Sequence, residues 1–157
     1  MNRAFSIFFA TLLGVFAMNA AAQEGFDACE VFTAQDAEAA LGTQVQEATV
    51  FKGKRPKVVP ECKYTSFKDG KAAAATVHIR VARTEADAKQ SFADARLEMQ
   101  TKPLVVAGNE AFWAGKSGML HMRKGRVWMT VAIGPDKPAD RDMETARKTA
   151  EALAKKL

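Results

Sequence analysis

The stretch of sequence that decides the fold is GMLHMRKGRVWMTVAI, residues 118–133. Apolar and polar residues alternate on both sides of Lys124-Gly125, and glycine accepts the positive φ that a tight turn requires. The stretch therefore predicts a β-hairpin with its tip at Lys124-Gly125. Because successive side chains of a strand point to opposite faces, each face of this hairpin can be predicted separately.

The predicted pairing gives this hairpin one apolar face and one mixed face. The pairs of the apolar face are Met122–Val127, Leu120–Met129 and Gly118–Val131. The pairs of the mixed face are Met119–Thr130, His121–Trp128 and Arg123–Arg126. A slip of one residue on one arm would mix the two faces, so the pattern itself favours this register. We expect the apolar face to lie in the core and regard the mixed face as a candidate site.

The first 22 residues have the composition of a cleaved signal peptide. A short positive segment, Asn2-Arg3, precedes an apolar run over residues 4–17 that is too short to cross a bilayer as a helix. Ala20 and Ala22 fit the small-residue rule for cleavage before Gln23. An uncleaved anchor is the alternative. We predict a periplasmic or secreted protein in which residues 23–157 form a single domain without a membrane span.

The net charge of +5 favours anionic partners, although a basic surface that merely keeps the protein in solution is the alternative. Predicted export makes nucleic acid an unexpected partner.

The two cysteines, Cys29 and Cys62, predict one disulfide in an oxidising compartment. Such a bridge closes a loop of about 34 residues, worth roughly 3–4 kcal/mol in the chain-entropy description. A reactive or metal-binding pair is disfavoured because neither cysteine lies in a Cys-x-x-Cys motif or beside a histidine.

A second hairpin is predicted over residues 61–82, with its turn at Asp69-Gly70. In this register Tyr64 lies opposite Ala75 and Cys62 opposite Val77, which leaves His78 and Arg80 on the other face. The predicted helices are a short one capped by Thr33 and ended by Gly42, a long one capped by Thr84 and ended before Pro103, and a last one beginning near Pro138. The remaining predicted strands cover residues 45–51, 104–106 and 111–113.

The resulting order is α-β-ββ-α-β-ββ-α. It predicts an α+β domain, an antiparallel β-sheet of about five to six strands packed by two long amphipathic helices and one short N-terminal helix. If the helices cover only one face, the other face is open, which an antiparallel sheet tolerates.

Several short motifs resemble those of a known family. They are CEVFT at residues 29–33, AALG at 39–42, CKY at 62–64 and GNEAFW at 108–113, followed by a hairpin with a glycine turn. They resemble a family of small secreted envelope domains of unknown function, common in actinobacterial lipoproteins, whose fold is similar to the extracellular sensor domain of mycobacterial serine/threonine kinases. The resemblance implies an antiparallel sheet packed by helices, a Cys29–Cys62 bridge, and sensing of a ligand or partner rather than catalysis. This chain departs from the family in lacking a lipobox, a kinase domain and a second disulfide.

A cationic and aromatic group on the mixed faces of the two hairpins is the candidate binding site. Its members are His121, Trp128, Arg126, Arg123, Arg80 and His78. Arginine holds carboxylates or phosphates, and tryptophan and arginine are enriched where proteins bind partners. The alternative is that a helix covers this face, so that Trp128 belongs to the core and the arginines lie at the rim of the sheet. We predict a monomeric module that binds an anionic or amphipathic ligand, or an envelope protein.

No motif predicts an enzyme or a cofactor. Gly115-Lys116-Ser117 imitates the end of a P-loop, but Glu110 stands where the leading glycine would be, and a strand follows. A different class of function is copper handling by Met119 and His121 with His78, because thioether and imidazole ligands suit Cu(I). A hydrolase inhibitor is a further alternative that fits the size and the disulfide.

Overall fold

The protein is described here by a computed structural model, which covers residues 27–51, 59–68 and 70–157. The predicted signal peptide lies outside the described residues. Within them the chain forms an α+β domain with four α-helices and seven strands. The helices are α1 (Ala28–Val31), α2 (Ala34–Leu41), α3 (Glu85–Glu98) and α4 (Met143–Ala154), with a 3-10 turn at Pro138–Asp140 before α4. The strands are β1 (Thr49–Phe51), β2 (Glu61–Lys68), β3 (Lys71–Val81), β4 (Pro103–Val106), β5 (Asn109–Ala114), β6 (Met119–Lys124) and β7 (Val127–Gly134).

All seven strands belong to one antiparallel sheet in the order β1-β2-β3-β7-β6-β5-β4. The predicted fold class is confirmed, but the strand count is higher than five to six. The predicted order counted the segments at 104–106 and 111–113 as one strand, whereas they form two strands, β4 and β5, which pair as a hairpin. The turn of this hairpin is Ala107-Gly108, both at positive φ, and Asn109 is the first residue of β5.

The β2–β3 hairpin, predicted over residues 61–82, has the predicted register, with Tyr64 opposite Ala75 and Cys62 opposite Val77. Its tip lies between Lys68 and Lys71, where Gly70 has φ +75°. Asp69, the other residue of the predicted turn, lies outside the described residues.

The β6–β7 hairpin corrects the predicted pairing. The strands end at Lys124 and begin again at Val127, so the tip is Gly125-Arg126, one residue later than predicted. The observed pairs are Leu120–Val131, His121–Thr130, Met122–Met129, Arg123–Trp128 and Lys124–Val127. Moving the tip by one residue moves every partner by two, and a shift of two leaves each side chain on its face. The predicted pairs were therefore wrong, whereas the predicted division into two faces is confirmed.

The apolar side of the sheet, called the core face below, carries the main core. Leu120, Met122, Met129 and Val131 are buried there. Helices α1, α2 and α4 cover this face, and Ala146, Ala150 and Leu153 supply the inner stripe of α4. Cys29 in α1 and Cys62 in β2 form the predicted disulfide, which ties the N-terminal helices to the sheet.

The opposite side, called the α3 face, is covered only in part. Phe92 of α3 packs with Phe112 and Ala114 in a second, smaller core, and Trp128 lies against it. The Thr84 hydroxyl accepts a hydrogen bond from Asp87 N and so caps α3 as predicted. None of the described helices is long and apolar enough to cross a membrane.

Other helix ends follow local signals closely. Thr33 and Asp36 form a complete capping box at α2, and Gly42 ends that helix at φ +67°. The last helix is the exception, because the 3-10 turn occupies Pro138–Asp140 and α4 begins only at Met143, capped by Asp142.

Candidate functional site

Five partly or fully buried side chains stand side by side across the α3 face. Strand register places Glu61 opposite His78, His78 opposite Thr130, Thr130 opposite His121, and His121 opposite Phe112. We call these five residues the histidine row. Both histidines of the chain therefore flank one threonine. The predicted pairing of His121 with Trp128 did not show this arrangement.

His121 is the more enclosed of the two histidines in the row, with 6% of its surface exposed. Its ring stacks on Phe112 at 4.5 Å between centroids and 10° between planes. Its Nδ1 lies 3.2 Å from Trp128 Nε1 and 3.2 Å from Thr130 Oγ1. The indole N–H is only ever a donor, so Nδ1 is the acceptor and the proton of the neutral ring lies on Nε2. That Nε2 is buried and has no hydrogen-bond partner among the described residues.

Burial lowers the pKa of His121 to about 4, and the charge that His78 carries when protonated adds to the effect. His121 is therefore neutral near pH 7. Burial also lowers the pKa of His78, and the nearby Glu61 carboxylate, 3.7 Å from His78 Nε2, opposes that shift. A base with so low a pKa is poorly matched to proton abstraction at neutral pH.

Trp128 is half-buried, between the small core and the surface. Phe92 meets its ring edge-on at 5.6 Å, and Arg80 Cζ lies over the ring 5.3 Å from its centroid. From the sequence, Trp128 could belong either to a core beneath a helix or to an open binding face. In the structure α3 covers one side of Trp128, and the exposed Arg80 lies over another.

Three arginines lie at the end of the sheet where β3 ends beside the β6–β7 turn, and one of them, Arg80, lies over Trp128. Arg80 lies opposite Trp128, while Arg126 donates from Nη1 to the carbonyl oxygen of Arg83 at 3.2 Å. We call Arg80, Arg83 and Arg126 the arginine corner. All three are exposed, and no carboxylate of the described residues lies within ion-pairing distance of their guanidinium groups. Sequence reasoning missed Arg83, whose only signal was its place between Arg80 and the Thr84 cap.

Arg123 belongs to a different environment. Its side chain is 11% exposed and its guanidinium lies 2.8 Å from Glu110 and 3.4 Å from Glu85. It also donates to the Gly125 carbonyl oxygen at 2.8 Å. Arg123 thus ties the start of α3 to β5 and to the hairpin turn, and its charge is already paired. The predicted pairing of Arg123 with Arg126 was wrong, because Arg126 lies in the turn.

The copper ligands considered from the sequence are spread along and across strands. Met119 lies two residues before His121 on β6, and His78 is separated from His121 by the whole of β7. The Nδ1 atom of His121 is occupied by Trp128 and Thr130. No group of three or more His, Cys, Asp or Glu side chains in the described residues is arranged to hold a metal ion.

The fold and the site thus define an α+β domain with one sheet face packed by three helices and one partly covered face, whose Arg80, Arg83 and Arg126 have no carboxylate partner among the described residues. No protein-family model matches the chain, and neither characterised proteins nor solved structures show a match to it.

Proposed function

We propose that this chain is an exported binding module that recognises an anionic ligand or partner protein through the arginine corner. The observation that carries the proposal is the contrast among the arginines. Arg123 and Arg147 are held by carboxylates, whereas the guanidinium groups of Arg80, Arg83 and Arg126 have no carboxylate partner within the described residues. Like charges that the fold leaves uncompensated repel one another, so the binding of an anion beside them is electrostatically favourable.

The position of Arg80 suits recognition. A guanidinium over an indole is held in place by the ring, while its N–H edges stay free to donate two parallel hydrogen bonds to a carboxylate or phosphate. The side chain of Arg80 has no hydrogen-bond partner among the described residues. Its strand pairs with β7 over eight consecutive residue pairs, from Ala74–Gly134 to Val81–Val127, so the backbone beneath the corner is rigid.

Two further points support binding rather than catalysis. His121, the histidine nearest to Trp128, has a pKa of about 4 and faces a threonine and an indole, which leaves it a weak base. The resemblance to secreted envelope domains also implies sensing of a ligand or partner.

The arginine corner can be tested by charge removal with a matched control. We expect Arg80→Gln with Arg126→Gln to weaken binding of poly-L-glutamate and of inorganic polyphosphate at least about tenfold, because each lost guanidinium removes charge-assisted hydrogen bonds. The control is Lys148→Gln with Lys155→Gln, which removes the same charge from exposed positions on α4 and at its C-cap, on the far side of the sheet. NMR titration would report affinity and the residues affected.

Equal weakening in both double variants would mean that net charge alone attracts the polyanions, and would overturn the proposal. A loss confined to the corner variant supports it, and the stronger of the two probes indicates carboxylate or phosphate recognition.

Export is tested separately by mass spectrometry of the protein recovered from the periplasm. The expected mass is that of residues 23–157 less two hydrogens, and retention of residues 1–22 would contradict export by cleavage.

A further inference from the structure

The Nε2–H of His121 is a buried donor without an acceptor among the described residues, and the proposed binding at the arginine corner does not involve it. The donor assignment follows from geometry, because the Trp128 indole N–H requires Nδ1 to accept. Buried polar groups in folded proteins almost always have partners, so an orphan of this kind calls for an explanation.

The surroundings of His121 are aromatic. Phe112 stacks on one side of the imidazole, and the Trp128 ring lies 5.8 Å away. Phe92 of α3 completes the enclosure, 4.9 Å from Phe112 and 5.6 Å from Trp128. A buried water needs two to four polar partners. The two polar groups that contact the His121 ring, Trp128 Nε1 and Thr130 Oγ1, both meet Nδ1 and so are already engaged. An acceptor carried on an apolar body suits Nε2 better than water does.

Helix α3 packs over the His121, Phe112 and Trp128 rings through few buried residues. Only Ala88 and Phe92 of α3 are buried, whereas α4 buries five residues on the core face. Arg123 and the Thr84 cap hold the start of α3, while Leu97 and Met99 near its end are exposed. An element that buries so little apolar surface separates from its sheet at a lower free energy than the rest of the domain.

We infer that a small, flat, uncharged molecule with one hydrogen-bond acceptor, such as an aromatic ketone, binds between α3 and strands β5–β7. Its acceptor accepts a hydrogen bond from the Nε2–H of His121, and its ring takes the place of Phe92 against Phe112. Apolar pockets with a single well-placed polar group are the common form of small-molecule sites. The ligand is uncharged because the side chains contacting the His121 ring carry no charge. This site is independent of the arginine corner.

Acetophenone and ethylbenzene test the inference as a pair, because they have similar shapes and only the ketone has an acceptor. In the unaltered mature protein with ¹⁵N-labelled histidine, acetophenone should bind saturably and shift the Nε2–H resonance of His121. Ethylbenzene should bind roughly three- to tenfold more weakly, the range expected for one neutral hydrogen bond.

His121→Phe keeps the stack on Phe112 but removes the donor, so it should abolish the difference between the two probes. His78→Phe is the matched control and should preserve that difference. Equal affinity of both probes for the unaltered protein, or no saturable shift at His121, overturns the inference. A persistent water cross-peak at Nε2–H that acetophenone leaves unchanged would also overturn the inference, because it would show that a bound water is the partner of this donor. The probe pair decides even if His121→Phe does not fold.

Discussion

At the scale of single residues, burial gives two histidines of the same sheet face different properties. His78 keeps contact with solvent and with Glu61, whereas His121 lies under α3 between Phe112 and Trp128. The free energy of keeping a charge out of water is what lowers the pKa of His121 to about 4. The same burial makes this residue a fixed donor and acceptor rather than a titrating group near neutral pH.

This burial makes stability depend on pH. Unfolded His121 takes up a proton near pH 6.5, whereas the folded residue takes it up only near pH 4. Its contribution is therefore complete above pH 6.5 and is lost as the pH falls towards 4, to a total of roughly 3 kcal/mol. We expect urea unfolding at pH 7.5 and pH 4.5 to show this loss. His121→Phe should show a smaller loss than the unaltered protein and His78→Phe, and equal losses in all three would contradict the assignment.

Gly118 is a second residue whose environment decides its role. It has φ +59°, and a Cβ at this position would clash with the carbonyl oxygen of Pro138. Gly125 has φ +55° but open space around it. We expect Gly125→Ala to cost about 1 kcal/mol, for left-handed backbone alone. Gly118→Ala should cost about 2–4 kcal/mol, because the Pro138 segment must also move. Similar costs in chemical denaturation would show that the steric contact is relieved easily.

At the scale of elements, the two long helices are attached very differently. Helix α4 presents a continuous small-residue stripe to the core face, and Lys124 donates to the carbonyl oxygen of Ala154 at its end. Helix α3 rests on a small aromatic cluster and on the ion pairs of Arg123. Local stability follows buried apolar contact, so the two helices are expected to open independently.

Hydrogen exchange measures this difference directly. The amides of α3 should exchange faster than those of α4, because α3 opens without disturbing the main core. Thr84→Ala removes the cap of α3 and should cost about 1 kcal/mol of its local stability, while leaving exchange in α4 unchanged. Coincident exchange of the two helices would show instead that the domain opens only as a unit.

At the scale of the whole molecule, links between distant segments hold the N-terminal helices on the sheet. The disulfide joins Cys29 to Cys62, and Lys156 near the C-terminus lies 2.6 Å from Asp36 of α2. The partly exposed ion pair is worth less than a covalent loop closure. Of these two links, the bridge is therefore expected to contribute more to stability.

Replacement of both cysteines by alanine should lower the free energy of unfolding by roughly 3–4 kcal/mol, through release of the closed loop. Chemical denaturation of the double variant beside the oxidised protein measures the effect. The paired change Asp36→Asn with Lys156→Gln serves as a control and should cost far less. A loss below about 1 kcal/mol on removing the bridge would mean that the core holds α1 and α2 without it.

Much of this architecture could be predicted because it depends on local chemistry. The caps at Thr33 and Thr84, the turn after Lys68, and the alternation of side chains along each strand all arise within a few residues. The two faces of the β6–β7 hairpin were predicted correctly although the turn was misplaced by one residue, since a period of two is unchanged by a shift of two. A two-residue hairpin turn is decided by small differences in backbone energy, which explains why its position was wrong.

The sequence by itself determined the α+β class, the apolar face of each hairpin, the candidate members of the site and the pairing of two cysteines. Only the tertiary structure decided that β3 lies beside β7, which aligns His78 and His121 across Thr130. It alone decided that α3 packs beside His121, while Arg80, Arg83 and Arg126 have no carboxylate partner among the described residues. Contacts between segments distant in the chain depend on how whole faces pack together, and no local pattern carries that information.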